Sequence, residues 1–287
     1  MLAEGSVERP DGRMVAWASW GVPGGRPLMW LQGTPGSRLQ ASAHQDVYER
    51  VNAHVVTFDR PGYGRSSPHR DVTVLSVGDD ALAVADAVGW DRFAVAGISG
   101  GGAPALAIGF RAPGRVTELG LINSAVPAEL EDVDNLLSVN REARRRALEE
   151  GRESYEEFVA SFAAQIETDL DAAIDATLED ATEVDREVMR TPEMRARMAE
   201  SMREALRQGP QGWFDEGWAL VQPWGFELSD IKTPARIWYG ELDRASPPIS
   251  VERMAAELVV ASLEMFPDAG HTGWRAHYER ILRALLD

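Results

Sequence analysis

The sequence predicts an α/β protein, a mostly parallel sheet with helices on both faces, interrupted once by a long all-helical insertion. Three observations carry this. Short apolar runs alternate with helix-length stretches up to about residue 125 and again from about 231, a rhythm that builds right-handed βαβ units whose strands are buried on both faces. Between about 126 and 230 the alternation stops, leaving only helical patterns rich in Ala, Glu and Arg. Finally, Gly- and Pro-rich segments fall where the apolar runs end, as tight loops require.

Taken in order, residues 6–21 read as a hairpin around Pro10-Asp11-Gly12, with Trp17 and Trp20 as strand residues that pack. Leu28–Gln32 reads as a buried parallel strand that stops at Gly33-Thr34-Pro35-Gly36. Residues 40–52 suit a helix, and 54–58 the next strand, ended by Asp59-Arg60-Pro61-Gly62-Tyr63-Gly64. Then come helix 76–89, strand 93–96, the Ala- and Leu-rich helix 101–112 and strand 119–122. In the insertion, Gly151, Thr191-Pro192, Gly209-Pro210 and Pro223 mark helix ends. The rhythm returns with strand 236–239, helix 248–259, strand 263–266 and helix 273–286. A helical insertion between parallel strands is expected to lie as a lid over the sheet's C-terminal edge, where such folds bind ligands. The chain therefore divides into a core, 1–125 and 231–287, and a cap, 126–230.

The 287 residues suffice for such a domain with its own core. A formal net charge of −17 sets nucleic acid aside as a partner, because phosphate binding needs a basic footprint. Much of that charge lies in the insertion, with 26 acidic against 11 basic residues. The absence of cysteine excludes disulfides, thiolate metal sites and a cysteine nucleophile. No His/Asp/Glu cluster has ligand spacing and Gly100-Gly101-Gly102 lacks the lysine of a phosphate loop, so neither a metal nor a cofactor is expected. With no leader-like start and no apolar run near the roughly 20 residues that span a bilayer, the expectation is a soluble cytoplasmic protein acting on a small molecule, away from membranes. Oligomeric state is left open.

Gly97-Ile98-Ser99-Gly100-Gly101 matches the Gly-x-Ser-x-Gly turn that exposes a serine between strand and helix. Such a turn strains the serine backbone and leaves room only for very small residues two positions either side. The bare pattern is weak; its place between strand 93–96 and helix 101–112 gives it weight. A serine nucleophile needs a base, and the base an orienting acid, in the chain order serine, acid, histidine. His44, His54 and His69 precede the serine, and His277 lies in a helix where a solvated position is expected. His271, in the loop Pro267-Asp268-Ala269-Gly270-His271, remains as the base. Asp243, after strand 236–239, is the chosen acid; Glu241 is the alternative, and Asp268 sits too close in the same loop. The backbone amides of Gly100 and Thr34 are the expected oxyanion donors. Asp59 and Arg60 are expected to hold loops together.

These motifs, Gly33-Thr34-Pro35-Gly36-Ser37, Asp59 to Ser66, Gly97 to Gly101, Gly240-Glu241-Leu242-Asp243 and Gly270-His271, resemble those of lidded α/β-hydrolases, close to the esterase and proline-iminopeptidase-like group. The resemblance spans nearly the whole core in the family's order and only weakly the lid. It implies an eight-stranded sheet and hydrolysis of a small-to-medium carboxylic ester or lactone through an acyl-enzyme on Ser99. Aminopeptidase-type amide hydrolysis is the second expectation. The same fold also resembles non-hydrolytic enzymes, hydroxynitrile lyases and cofactor-free dioxygenases, and triad-bearing ligand receptors. One departure is Gln32-Gly33 where the family usually has His-Gly; a glutamine amide can make similar hydrogen bonds, and Gln32 is a candidate substrate contact.

The cap carries Trp213-Phe214-Asp215-Glu216-Gly217-Trp218 and Trp224-Gly225-Phe226. Trp213 and Trp218 either seal cap to core or line a substrate pocket. In the second case Asp215 or Glu216 is a candidate for receiving a substrate amine. Arg144-Arg145-Arg146 reads as a solvated helix face.

Overall fold

The structure, a computed structural model, describes residues 1–287 apart from the side-chain surroundings of Ala43. Eight strands form one sheet: β1 (Ala3–Glu8), β2 (Met14–Gly21), β3 (Arg26–Leu31), β4 (Ala53–Phe58), β5 (Phe93–Ile98), β6 (Val116–Ile122), β7 (Ala235–Gly240) and β8 (Ala261–Phe266). Their spatial order is β1-β2-β4-β3-β5-β6-β7-β8. β1 pairs antiparallel with β2, and β2 antiparallel with β4. From β4 onward every pairing is parallel. The chain is thus the mostly parallel α/β fold that the alternation of apolar runs predicts.

The period of two along each strand feeds two separate apolar layers. Met29 and Leu31 of β3 and Phe93 and Val95 of β5 join one cluster, under α2 (Val74–Ala87) and α3 (Gly102–Arg111). Leu28, Trp30, Ala94, Ala96 and Ile98 point the other way, into a cluster closed by Tyr278, Ile281, Leu282 and Leu285 of the last helix. Both faces being buried explains why these strands read as continuous apolar runs rather than alternating ones. Trp20 is buried in the second layer, and Trp17 packs half-buried on the first.

Two of the expected helices are composite. The stretch 40–52 is a 3₁₀ segment, Arg38–His44, then a short α-helix, Gln45–Arg50; His44 leaves the helical region at φ −127° and breaks the run. The last helix likewise starts as a 3₁₀ turn, Gly273–His277, before Tyr278–Leu286. There His277 stacks on Phe266 with ring centroids 4.2 Å apart, so it packs on the sheet rather than facing solvent as its helical position suggested.

Between β6 and β7 the elements are all helical. With Gln45–Arg50 as α1, they include α4 (Ser138–Arg145), α5 (Arg152–Thr168), α6 (Leu170–Thr177), α7 (Glu183–Met189), α8 (Pro192–Ala205) and α9 (Gln211–Val221). Threonine caps start two of them where the sequence turns from loop to helix: Thr182 accepts the Asp185 N–H and Thr191 the Met194 N–H. Ion pairs tie these helices to the core. Arg38 bridges Asp59 and Glu204 of α8, both at 2.6 Å, and Arg60 pairs with Glu216 of α9. The expectation that Asp59 and Arg60 hold loops together is met, and both reach helices of the insertion, Asp59 through Arg38 and Arg60 directly.

Candidate active site

β5 ends on Ile98, and Ser99 takes a left-handed backbone, φ +52°, before the chain enters α3 through the turn Ser99–Gly101. A non-glycine residue with this φ is strained and persists only where its surroundings over-determine it. The flanking glycines do so. A methyl group on Gly97 would sit 2.3 Å from the Gly101 carbonyl oxygen, and one on Gly101 would sit 2.4 Å and 2.5 Å from the carbonyl oxygens of Leu31 and Gln32. Any side chain at either position collides with backbone, which cannot move aside.

The loop after β3 packs directly on this turn. A methyl group on Gly33 would lie 3.4 Å from Ser99 Cβ, and one on Gly100 would lie 2.1 Å from Thr34 Oγ1. Thr34 and Gly100 are therefore neighbours beside the serine. Thr34 is held there by its hydroxyl, which donates to Glu216 at 2.9 Å; the same carboxylate accepts from Arg60 at 3.0 Å and Tyr63 at 2.8 Å. Arg60 also donates to the carbonyls of Gln32 and Gly33, at 2.5 Å and 2.9 Å.

Asp243 and His271 come together from two other loops. His271 Nδ1 lies 2.8 Å from Asp243 Oδ2. The other carboxylate oxygen accepts the backbone N–H groups of Ala245 and Ser246, at 2.8 Å and 2.9 Å. Asp243 is buried with its acceptors filled and aimed. The alternative acid, Glu241, is exposed and accepts the Asp268 N–H instead. Burial disfavours the charged imidazole, but the Asp243 carboxylate outweighs it, helped by Asp185, and holds the His271 pKa above the usual imidazole value.

Ser99, His271, Thr34 and Gly100 line one cavity of about 470 Å³ between the sheet's C-terminal edge and the helical insertion. The Ser99 hydroxyl and the His271 ring are not hydrogen-bonded to each other among the described residues; such contacts are often long before substrate binds. Apolar side chains dominate the rest of the wall, among them Tyr155, Phe158, Phe162, Met189 and Trp213.

Several expectations need correction. Gln32 is fully buried, off the cavity wall, and its amide donates to the Phe58 carbonyl at 2.9 Å. Strand alternation turns it beneath the loop, not into the pocket. Trp213 lines the cavity but Trp218 does not; five residues are about 140° apart on a helix, and Trp218 faces Arg152, whose guanidinium lies 5.9 Å from its ring centre. Leu220, seven residues from Trp213, shares the wall. Asp215 and Glu216 are both buried off the cavity wall, Asp215 paired with Arg152 and Gln211 through one carboxylate oxygen and Glu216 with Arg60, Thr34 and Tyr63, so neither is placed to receive a substrate amine. Arg144 is not part of a solvated face: it lines the cavity and pairs with Glu131 at 2.6 Å.

Two residues escape sequence reasoning. Asn123, at φ +43° just past β6, donates to the His271 carbonyl at 2.7 Å and accepts the Gly240 N–H at 3.0 Å, joining the acid's strand to the histidine's loop. Its position at the end of a predicted strand was a usable signal. Asp185 of α7 accepts the backbone N–H of His271 at 3.0 Å and of Thr272 at 2.8 Å. Nothing in the pattern around it marks it among the insertion's many carboxylates. Among the described residues no group of three or more His, Asp or Glu is arranged to hold a metal ion, and no helix is long and apolar enough to cross a membrane.

The sheet order and the strained serine turn at the end of β5 define an α/β-hydrolase, and comparison with known proteins agrees. The chain belongs to the alpha/beta hydrolase fold family, whose model matches residues 26–273. It is 33% identical over 135 residues to a probable proline iminopeptidase of Streptomyces coelicolor, 44% of this chain and 42% of that one. The chain matches only about a third to two fifths of the length of its first curated relatives. Among solved structures it is similar to a thermophilic esterase from Thermogutta terrifontis (TM-score 0.69, 20% identity, covering 98% of this chain and 96% of that one). It is also similar to the enol-lactonase from Burkholderia xenovorans (TM-score 0.68, 19% identity, 96% of each chain). At these identities the structures speak for the fold alone.

Proposed function

We propose that the protein is a serine hydrolase that cleaves a small-to-medium carboxylic ester or lactone. The observation that carries this is the buried Asp243–His271 hydrogen bond opening onto the same cavity as the strained Ser99. In this reading His271 Nε2 takes the hydroxyl proton as Ser99 Oγ attacks the carbonyl, and Asp243 fixes the ring with its proton on Nδ1. The backbone N–H groups of Thr34 and Gly100 receive the oxyanion. His271 then gives its proton to the departing alkoxide, and water reverses the sequence to release the acid. In a lactone the departing alkoxide stays attached, so one chain leaves after the water step.

A cavity of about 470 Å³ with mostly apolar walls suits a compact acyl or ring substrate. The aminopeptidase alternative, suggested by the Streptomyces relative, wants a free carboxylate for the substrate amine. The carboxylates that reach the cavity, Glu131 and Asp185, are both engaged, by Arg144 and by the His271 loop.

A panel of p-nitrophenyl esters, lactones and aminoacyl anilides, run with the parent protein and Ser99→Ala, tests the proposal. Turnover of esters or lactones that vanishes in Ser99→Ala supports it. Turnover of anilides alone would make it a peptidase, and ligand conversion that survives Ser99→Ala but not His271→Ala would move it to the lyase or oxygenase class.

A further inference from the structure

Three arginines line the active-site cavity, and two of them are neutralised: Arg144 by Glu131 and Arg244 by Asp180. The third, Arg275, has neither an ion pair nor a side-chain hydrogen bond among the described residues, and its Nε is buried without a partner. It stands four residues beyond His271 in the turn Gly273–His277, its guanidinium stacked 4.6 Å from the Trp274 ring centre. In a chain with 46 acidic side chains, a partly buried guanidinium left without one is unusual. Withdrawal from water, with Arg197 nearby, costs the cation enough to push its pKa down to about 10.

Arg275 also lines a second, smaller pocket of about 60 Å³, which adjoins the first and shares Pro35, Gln40, Met198 and Met202 with it as lining. Such a space has room for a few waters or one small polar group. Its other polar lining includes Gln40, Ser42, Arg197 and the exposed Glu200. His44 there is held neutral, its pKa lowered to about 4 by burial and by Arg275 and Arg197. Arg197 is already paired with Glu193. One unspent, fork-shaped cation therefore lines a small recess of mixed polar and apolar walls beside the Ser99 cavity.

We propose that Arg275 anchors a carboxylate on the substrate, so that the ester or lactone opened at Ser99 carries a second, anionic end seated in this recess. The proposal deepens the hydrolase reading and rests on it. A guanidinium offers two parallel donors matched to a carboxylate. A phosphate dianion fits less well, since only one unneutralised cation is present and Glu200 lies on the same rim. The overall charge of −17 repels anions, so any preference for a charged ligand must be local.

Calorimetric binding of monomethyl adipate and dimethyl adipate to the Ser99→Ala protein tests this without turnover. The half-ester, with its free carboxylate, is expected to bind at least about ten-fold tighter, the size of one charged hydrogen-bonded contact. That advantage should disappear in Ser99→Ala/Arg275→Gln and survive in part in Ser99→Ala/Arg275→Lys, which keeps the charge and guards against a folding defect. Equal binding of the two probes, no measurable half-ester binding, or an advantage untouched by Arg275→Gln would overturn the proposal. Fluorophosphonate labelling of the parent protein separates the two readings. An unlabelled Ser99 beside an intact, Arg275-dependent preference sinks the hydrolase reading alone, and a labelled Ser99 with no preference sinks the anchor alone.

Discussion

Asp185 of the helical insertion grips the loop that carries His271: one carboxylate oxygen accepts the His271 N–H at 3.0 Å, and the other accepts the N–H and hydroxyl of Thr272, both at 2.8 Å. This carboxylate, itself on the cavity wall, thus fixes where the imidazole stands, and its charge helps to raise the imidazole pKa. Asp185→Ala is expected to lower kcat by roughly ten- to a hundred-fold, the cost of slight misplacement of a reacting group. It should also destabilise the fold by about 1–3 kcal/mol through the unsatisfied amides. Asp185→Asn keeps an acceptor oxygen and should recover part of kcat while moving the acidic limb of the pH–rate profile to lower pH. A loss of stability with an unmoved pH profile would reduce Asp185 to a structural role.

The raised pKa of His271 sets the pH dependence. In the proposed mechanism His271 must be neutral to take the Ser99 proton, so kcat/KM should climb through a limb lying above the usual value of about 6.5. The sign for stability is opposite: the protonated ring stabilises the fold below about pH 6.5, and that contribution is lost as the pH rises through the folded value. Asp243→Asn removes the larger source of the upward shift and should move the limb down. It should also cut kcat on the order of 10⁴-fold, by favouring the wrong tautomer. A pH–rate profile of parent and variant checks both.

Gly101→Ala drives a methyl group against the carbonyl oxygens of Leu31 and Gln32. Because backbone on both sides resists, a loss of about 3 kcal/mol is expected, with Ser99 chemistry abolished. Urea unfolding monitored by tryptophan fluorescence measures it, and a variant of parent-like stability would contradict the steric argument.

Much of this site was legible because its chemistry is written in backbone geometry. Gly97, Gly101, Pro35 and the chain order Ser99, Asp243, His271 are local signals that strand-and-turn logic converts into places at one sheet edge. Side-chain direction was not legible in the same way. Gln32 follows directly on β3, yet only pairing within the sheet decides that it points beneath the loop, and Trp218 differs from Trp213 only by a fraction of a helical turn. The long-range partners were hidden for another reason. Asp185 and Glu216 sit in an insertion rich in carboxylates, and only tertiary packing singles out the two that reach His271 and Thr34.

Glu216 is the second such tie. It is buried, pairs with Arg60 and accepts the Thr34 hydroxyl at 2.9 Å. Glu216→Ala strands the Arg60 guanidinium and is expected to cost about 3–5 kcal/mol, seen as a lower midpoint of thermal unfolding. Were Glu216 instead a receptor for a substrate amine, its removal would raise KM for aminoacyl substrates and leave the midpoint in place.

Intact-mass and peptide mass spectrometry after exposure to a fluorophosphonate puts the nucleophile itself to the test. A single adduct on Ser99 is predicted, absent from Ser99→Ala and formed far more slowly in His271→Ala. A native protein left unlabelled, or labelled at another residue with Ser99 untouched, would contradict the assignment of Ser99 as the nucleophile.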